Sequence, residues 1–159
     1  MASILTPSGV APDAWHHVDD DGALPVFGDI TVSLQRWLGE RDSLRERGAG
    51  VGVRLQPEDD ARLLADDVGA LALVCCALPR FADGRAYSQA RILREQLGYV
   101  GELRATGEVL RDQAFYLRRV GFDAFEVPDG RDAAALAAGL RDFSVTYQAA
   151  ADGRAPVYG

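Results

Sequence analysis

From Val51 to Phe143 short runs of β type alternate with stretches of helical period, and this alternation constrains the chain more than any other feature. Val51-Gly52-Val53-Arg54-Leu55 reads as a strand. Pro57 suits the first turn of a helix whose apolar stripe is Ala61, Leu64, Ala65 and Val68. Ala70–Leu78 is apolar throughout, as a strand covered on both faces should be. Ser88 can cap a second helix with Ala90, Leu93 and Leu97 facing inward. Val100–Ala105 is a third strand, and a helix follows from Val109 to Val120 with Leu110, Ala114 and Leu117 on its buried face. Gly121 stops it, Phe122–Val127 is the fourth strand, and Asp129 opens a last helix carrying Leu136, Leu140 and Phe143.

Four strand–helix units in succession predict an α/β fold of parallel strands with right-handed crossovers. Two assemblies satisfy the pattern: a small open parallel sheet, or a curved sheet resembling half of a (β/α)8 barrel. The third strand sets Glu102 and Arg104 against Leu103 and Ala105, so one of its faces is charged. A charged face suits a barrel lumen better than the middle of a doubly covered sheet, and the reading leans to the half-barrel. Residues 1–30 read as an irregular extension, with a turn at Asp19-Asp20-Asp21-Gly22 and a short strand near Leu24–Phe27. A helix is expected from Ser33, with Leu34, Trp37, Leu38 and Leu44 inward and Gly48 as its stop. The 159 residues make one domain, with residues 150–159 read as a flexible tail.

Composition removes several function classes. No apolar run approaches the roughly 20 residues that span a bilayer. The N-terminus has no basic residue ahead of its short apolar stretch and makes a poor signal peptide, so the cytoplasm is the expected location. A net charge of −7 argues against nucleic-acid binding through a basic face. All 17 basic residues are arginine. Without lysine there is no Schiff-base or Walker-A chemistry, and anion recognition falls to arginine forks and backbone amides. Cys75 and Cys76 are adjacent, so in a strand they face opposite sides and suit neither a disulfide nor a shared metal. No GxGxxG, HExxH or CxxC occurs, and neither a cofactor nor a metal is expected. His16 and His17, the only histidines, lie in the N-terminal extension.

Ligands of parallel α/β folds gather beyond the carboxyl ends of the strands. There the second strand runs into Pro79-Arg80-Phe81-Ala82-Asp83-Gly84-Arg85-Ala86-Tyr87-Ser88 and a helix start. With Arg91, Arg94, Glu102 and Arg104, the residues Asp83, Arg85, Tyr87 and Ser88 form a candidate anion- or partner-binding rim, without an assigned catalytic residue. The bland alternative is structural. Asp83-Gly84 is a turn pair, Arg91 and Glu95 are helix neighbours, and Glu102 with Arg104 can pair as a salt bridge.

The stretch Phe81–Arg94, continued by Gly98–Gly107, Asp112-Gln113 and Gly121–Phe125, resembles a bacterial family called domain of unknown function 934. Gly52-Val53-Arg54-Leu55, Pro57–Asp60 and the early Trp15 fit the same pattern. Members are described, from gene neighbourhoods shared with sulfite reductase and other sulfate-assimilation genes, as proteins of sulfite reduction. The resemblance thus implies an accessory protein of assimilatory sulfate and sulfite reduction, binding a partner such as sulfite reductase or an anionic intermediate. A small enzyme acting on an anionic metabolite, and a purely structural subunit, are the alternatives. Uncovered strand edges in a half-barrel also lead to an expectation of homo-oligomers.

Overall fold

The computed structural model describes residues 3–78, 84–107, 109, 111–127, 134 and 137, the side chains of 111 and 112 excepted. In chain order the elements are β1 (Ser3–Thr6), β2 (Gly9–Pro12), β3 (His16–His17), β4 (Ile30–Ser33), α1 (Leu34–Arg45) and β5 (Val51–Leu55). Two short 3-10 turns, Ala61–Leu64 and Val68–Ala70, lead to β6 (Leu73–Leu78). Then come α2 (Arg85–Arg91), a π turn at Ile92–Gln96, β7 (Glu102–Gly107), α3 (Arg111–Arg119) and β8 (Ala124–Val127). All the described strands join one sheet in the order β2-β1-β8-β7-β6-β5-β4-β3. From β3 to β8 the neighbours are parallel, while β1 runs antiparallel to both β8 and β2.

The four strands read from periodicity are therefore present and parallel, and α-helices follow the second and third of them. The first is not followed by an α-helix, so the run of four strand–helix units is not complete. After β5 the stripe of Ala61, Leu64 and Val68 lies on 3-10 turns. Asp60 caps the first of them through the Arg62 amide. Asp67, fully buried, takes the Trp37 indole N–H at 3.0 Å and ion pairs from Arg41 and Arg45. Tying Asp67 inward breaks what would otherwise be one continuous α-helix. Ser88 does not cap α2; it lies inside it. The helix starts at the turn glycine Gly84, whose φ of +82° is open to glycine at no steric cost. Ser33 caps α1 as its sequence suggests, accepting the Arg36 amide at 3.1 Å. Helix α1 closes at Glu46 rather than Gly48, and Leu38 faces solvent. The last helix expected, from Asp129 to Phe143, falls almost wholly outside the described residues.

The largest departure is at the N-terminus. Residues 1–30 supply both edges of the sheet, β1 and β2 on one side and β3 on the other, and Leu24–Phe27 is not a strand. Only Asp13, Ala14 and Trp15 separate β2 from β3. The four Cα steps from Pro12 to His16 reach at most about 14 Å. In a flat sheet the seven strand spacings between the edges would put them about 33 Å apart. The sheet is consequently curled into a half-barrel, with the three-residue strap drawing its edges together. This selects the curled assembly over the open sheet.

Curling separates two faces. Ile30, Val32, Val51, Val53, Leu55, Val74, Cys76, Leu78, Leu103, Ala105, Phe125 and Val127 point outward into one core. They pack there with Leu34, Trp37 and Leu44 of α1, Ala86 and Ala90 of α2, and Ala114 and Leu117 of α3. By alternation, His17, Thr31, Gly52, Arg54, Leu73, Cys75, Glu102, Arg104, Ala124 and Glu126 belong to the concave face. Gly52 is required there, since a Cβ would lie 2.7 Å from the Leu73 carbonyl oxygen.

Cys75 and Cys76 face opposite sides of β6, as adjacency demands, and both are buried free thiols. Burial pushes the Cys75 thiol up to about 12, although Arg104 and Arg54 pull it back in part, and burial raises Cys76 further. At pH 8 the native protein should show no reaction with an aromatic disulfide reagent over minutes, and two thiols should titrate at once in guanidinium. Fast labelling of one thiol in the native state would contradict this burial. Among the described residues no helix is long and apolar enough to cross a membrane, and no cluster of side chains could hold a metal.

Candidate functional site

The concave face carries a connected chain of polar side chains, and the strap is part of it. Asp13, on the strap, receives the His17 Nε2 at 2.6 Å, an Arg104 Nη1 at 3.2 Å and the Trp15 amide at 3.0 Å. Arg104 also donates twice to one oxygen of Glu102, at 2.7 and 3.0 Å. On the other side His17 Nδ1 is 2.6 Å from the Thr31 hydroxyl. That hydroxyl accepts from Arg54 at 2.6 Å, and Arg54 donates further to the carbonyls of Thr31 and Val18. With Arg54 donating to it, the Thr31 hydroxyl keeps its own proton available to the His17 ring. The run Glu102–Arg104–Asp13–His17–Thr31–Arg54 thus crosses the face from β7 to β5 by way of the strap.

Burial by itself would push the Asp13 carboxyl up. The hydrogen bonds from His17 and the Trp15 amide, with the charge of Arg104, outweigh it and hold the carboxyl below the ordinary carboxylate range. The Asp13 and Arg104 side chains are only 5% and 4% exposed. This pair is a buried one, and its members satisfy each other.

The rim read from sequence does not come together as a cluster. Arg94 lies within the π turn, facing the amino edge of β7 and β8. Its Nε and Nη2 donate to the Gly121 carbonyl at 3.0 and 2.9 Å, and its Nη1 to the carbonyls of Tyr99 and Gly101 at 2.9 and 2.8 Å. It also pairs with Asp123 at 3.2 Å and sits over the Tyr99 ring. Arg104 lies mid-strand on the concave face, paired with Glu102 as the structural alternative had it. Arg85, Ser88 and Arg91 are exposed along α2, and Tyr87 is half-buried against the core. Asp83 lies outside the described residues. The reason for the dispersion is geometric. Residues 85 and 94 are nine apart on one helical run, which separates their backbones by about 13 Å.

Four members of the polar chain, Asp13, His17, Thr31 and Arg54, were not among the candidates. Arg54 was legible, because it alternates with Val53 and Leu55 on a strand. Asp13 and His17 reach the site only through strand pairings distant in sequence, which no local pattern encodes.

The family model for bacterial proteins of unknown function, DUF934, matches residues 52–158, from β5 to beyond β8. Arg54, Glu102 and Arg104 fall within that span, while Asp13, His17 and Thr31 precede it. No curated protein matches the chain. The matched span covers most of the sequence, and the chain is therefore a member of the DUF934 family.

Proposed function

We propose that this protein is an accessory component of assimilatory sulfate and sulfite reduction, acting in the cytoplasm by binding a partner enzyme. The pathway rests on the family resemblance and its gene neighbourhoods. The binding role is supported by one observation: the most buried arginines of the candidate set are already engaged by the chain itself. Arg94 holds three carbonyls and Asp123, and Arg104 holds Asp13 and Glu102. Buried charges so satisfied give rigidity, and leave recognition to the exposed surface.

The test is a clean deletion in the native host. Growth on sulfate as sole sulfur source should slow, growth on cysteine should be unchanged, and the purified wild-type chain restored to the strain should co-purify with a sulfate-assimilation enzyme. Equal growth of the deletion strain on sulfate and on cysteine would refute the pathway.

A further inference from the structure

Two adjacent apolar residues, Val26 and Phe27, stand 83% and 85% exposed in the loop between β3 and β4. Their backbone is not left to wander. The Arg47 guanidinium, just past the end of α1, donates to the Pro25 carbonyl at 2.8 Å and to the Gly28 carbonyl at 2.9 Å. These two acceptors flank the pair on either side, so one side chain clamps both ends of the tip. Leu24 packs against the core before it. After it, Gly28 turns the chain at φ +92°, and Asp29 accepts the Gly50 amide at 2.7 Å. A valine and a phenylalanine held in water on a fixed backbone form an anchor whose ordering precedes any encounter, the property that aromatic hot spots share.

We propose that the Val26–Phe27 tip is the docking prong of this protein, inserting into an apolar cleft rimmed by lysine or arginine on a different protein. The inference rests on the binding role above and names the surface that performs it. Size and charge choose the occupant. The pair exposes on the order of 300 Å², against about 800 Å² on each side of a standard interface, so it anchors a contact and does not form the whole of one. The loop that presents it, residues 18–29, contributes Asp19, Asp20, Asp21 and Asp29 and no basic residue of its own, against the guanidinium groups of Arg36 and Arg47 that donate to its carbonyls, on a chain of net charge −7. Two copies meeting tip to tip would set one acidic loop of a net-negative chain against another, whereas a basic rim complements it.

The experiment places a photo-crosslinking phenylalanine analogue at position 27 of the full chain in its native cells, with the adduct mapped by mass spectrometry. The expected result is one principal adduct to another protein, at a peptide whose apolar residues are flanked by lysine or arginine. Its yield should fall at least tenfold in a Val26→Asp background and severalfold when Arg47→Ala releases the clamp, with circular dichroism unchanged. Absence of an adduct, an adduct to a second copy of the chain, a mapped site without basic residues, or an undiminished yield in folded Val26→Asp each overturns the proposal. Sulfate-dependent growth is scored separately. A prong that maps as expected in a strain whose deletion grows normally on sulfate upholds the docking surface and rejects the pathway.

Discussion

Arg94→Ala is expected to lower the unfolding free energy by about 4 kcal/mol, a change readable in urea denaturation as a shifted midpoint with the slope preserved. One guanidinium serves the carbonyls of Tyr99, Gly101 and Gly121 together with the Asp123 carboxylate. These acceptors belong to the segments leading into β7 and β8, so the side chain fastens the amino edges of two neighbouring strands. A half-buried acceptor deprived of its charged donor is worth roughly 1–3 kcal/mol, and the set cannot all rehydrate without opening the edge. The Tyr99 ring would also lose the cation stacked 5.5 Å from its centre. Arg94→Lys should recover less than half of the loss, because a single ammonium cannot span carbonyls approached from both arms of a planar fork. A loss under about 1 kcal/mol for the alanine variant would show that water replaces the fork at little cost.

For Arg104→Ala the expected loss is about 3 kcal/mol at neutral pH, and its dependence on pH is the sharper test. In the wild type the folded Asp13 carboxyl lies below its unfolded value of 3.8. Its stabilising contribution is complete above that value and is withdrawn as pH falls through the folded one. Without Arg104 one of the influences that hold the Asp13 carboxyl down is lost, and the carboxyl moves up towards its unfolded value while the His17 and Trp15 hydrogen bonds remain. The variant therefore forfeits part of the stability that ionised Asp13 confers. The gap between wild type and variant should widen as pH rises from the folded wild-type value to the unfolded value of 3.8, and level off above it. Asp123, whose carboxyl burial raises, titrates in both proteins and cancels in the difference. A gap independent of pH over that interval would mean that Arg104 takes no part in keeping Asp13 ionised.

Local pattern carried the middle of the fold and little of its rim. Strands β5 to β8 and helices α1 and α3 announce themselves because burial on one or both faces writes a period of 2 or 3.6 into neighbouring residues. The 3-10 turns after β5 did not, since a stripe at Ala61, Leu64 and Val68 fits either helix and the deciding contact is Asp67 to Trp37, thirty residues away. Strands β1, β2 and β3 have four residues or fewer, and their partners lie as far off as Val127, opposite Ser3. The concave site inherits that difficulty. Arg104 was visible as the charged member of an alternating strand, but its partner Asp13 stands 91 positions earlier. Arg94 was visible as a cation on a helix. Nothing within a helical turn of it says that it faces carbonyls at Tyr99 and Gly121 rather than a ligand.

The strap of Asp13, Ala14 and Trp15 sets an order of events during synthesis. Of the described strands β1 emerges before the rest, yet β8, its neighbour on the side away from β2, emerges after all the others. Between Thr6 and Ala124 the ribosome adds well over a hundred residues, a delay of about 6–24 s at ordinary elongation rates. Through that interval β4 to β7 can pair in turn as each is made, while β1 and β2 have only each other. The β1–β2 pair therefore waits beside a growing, still open sheet until β8 supplies the edge it joins. Strands made early are the last to find their place.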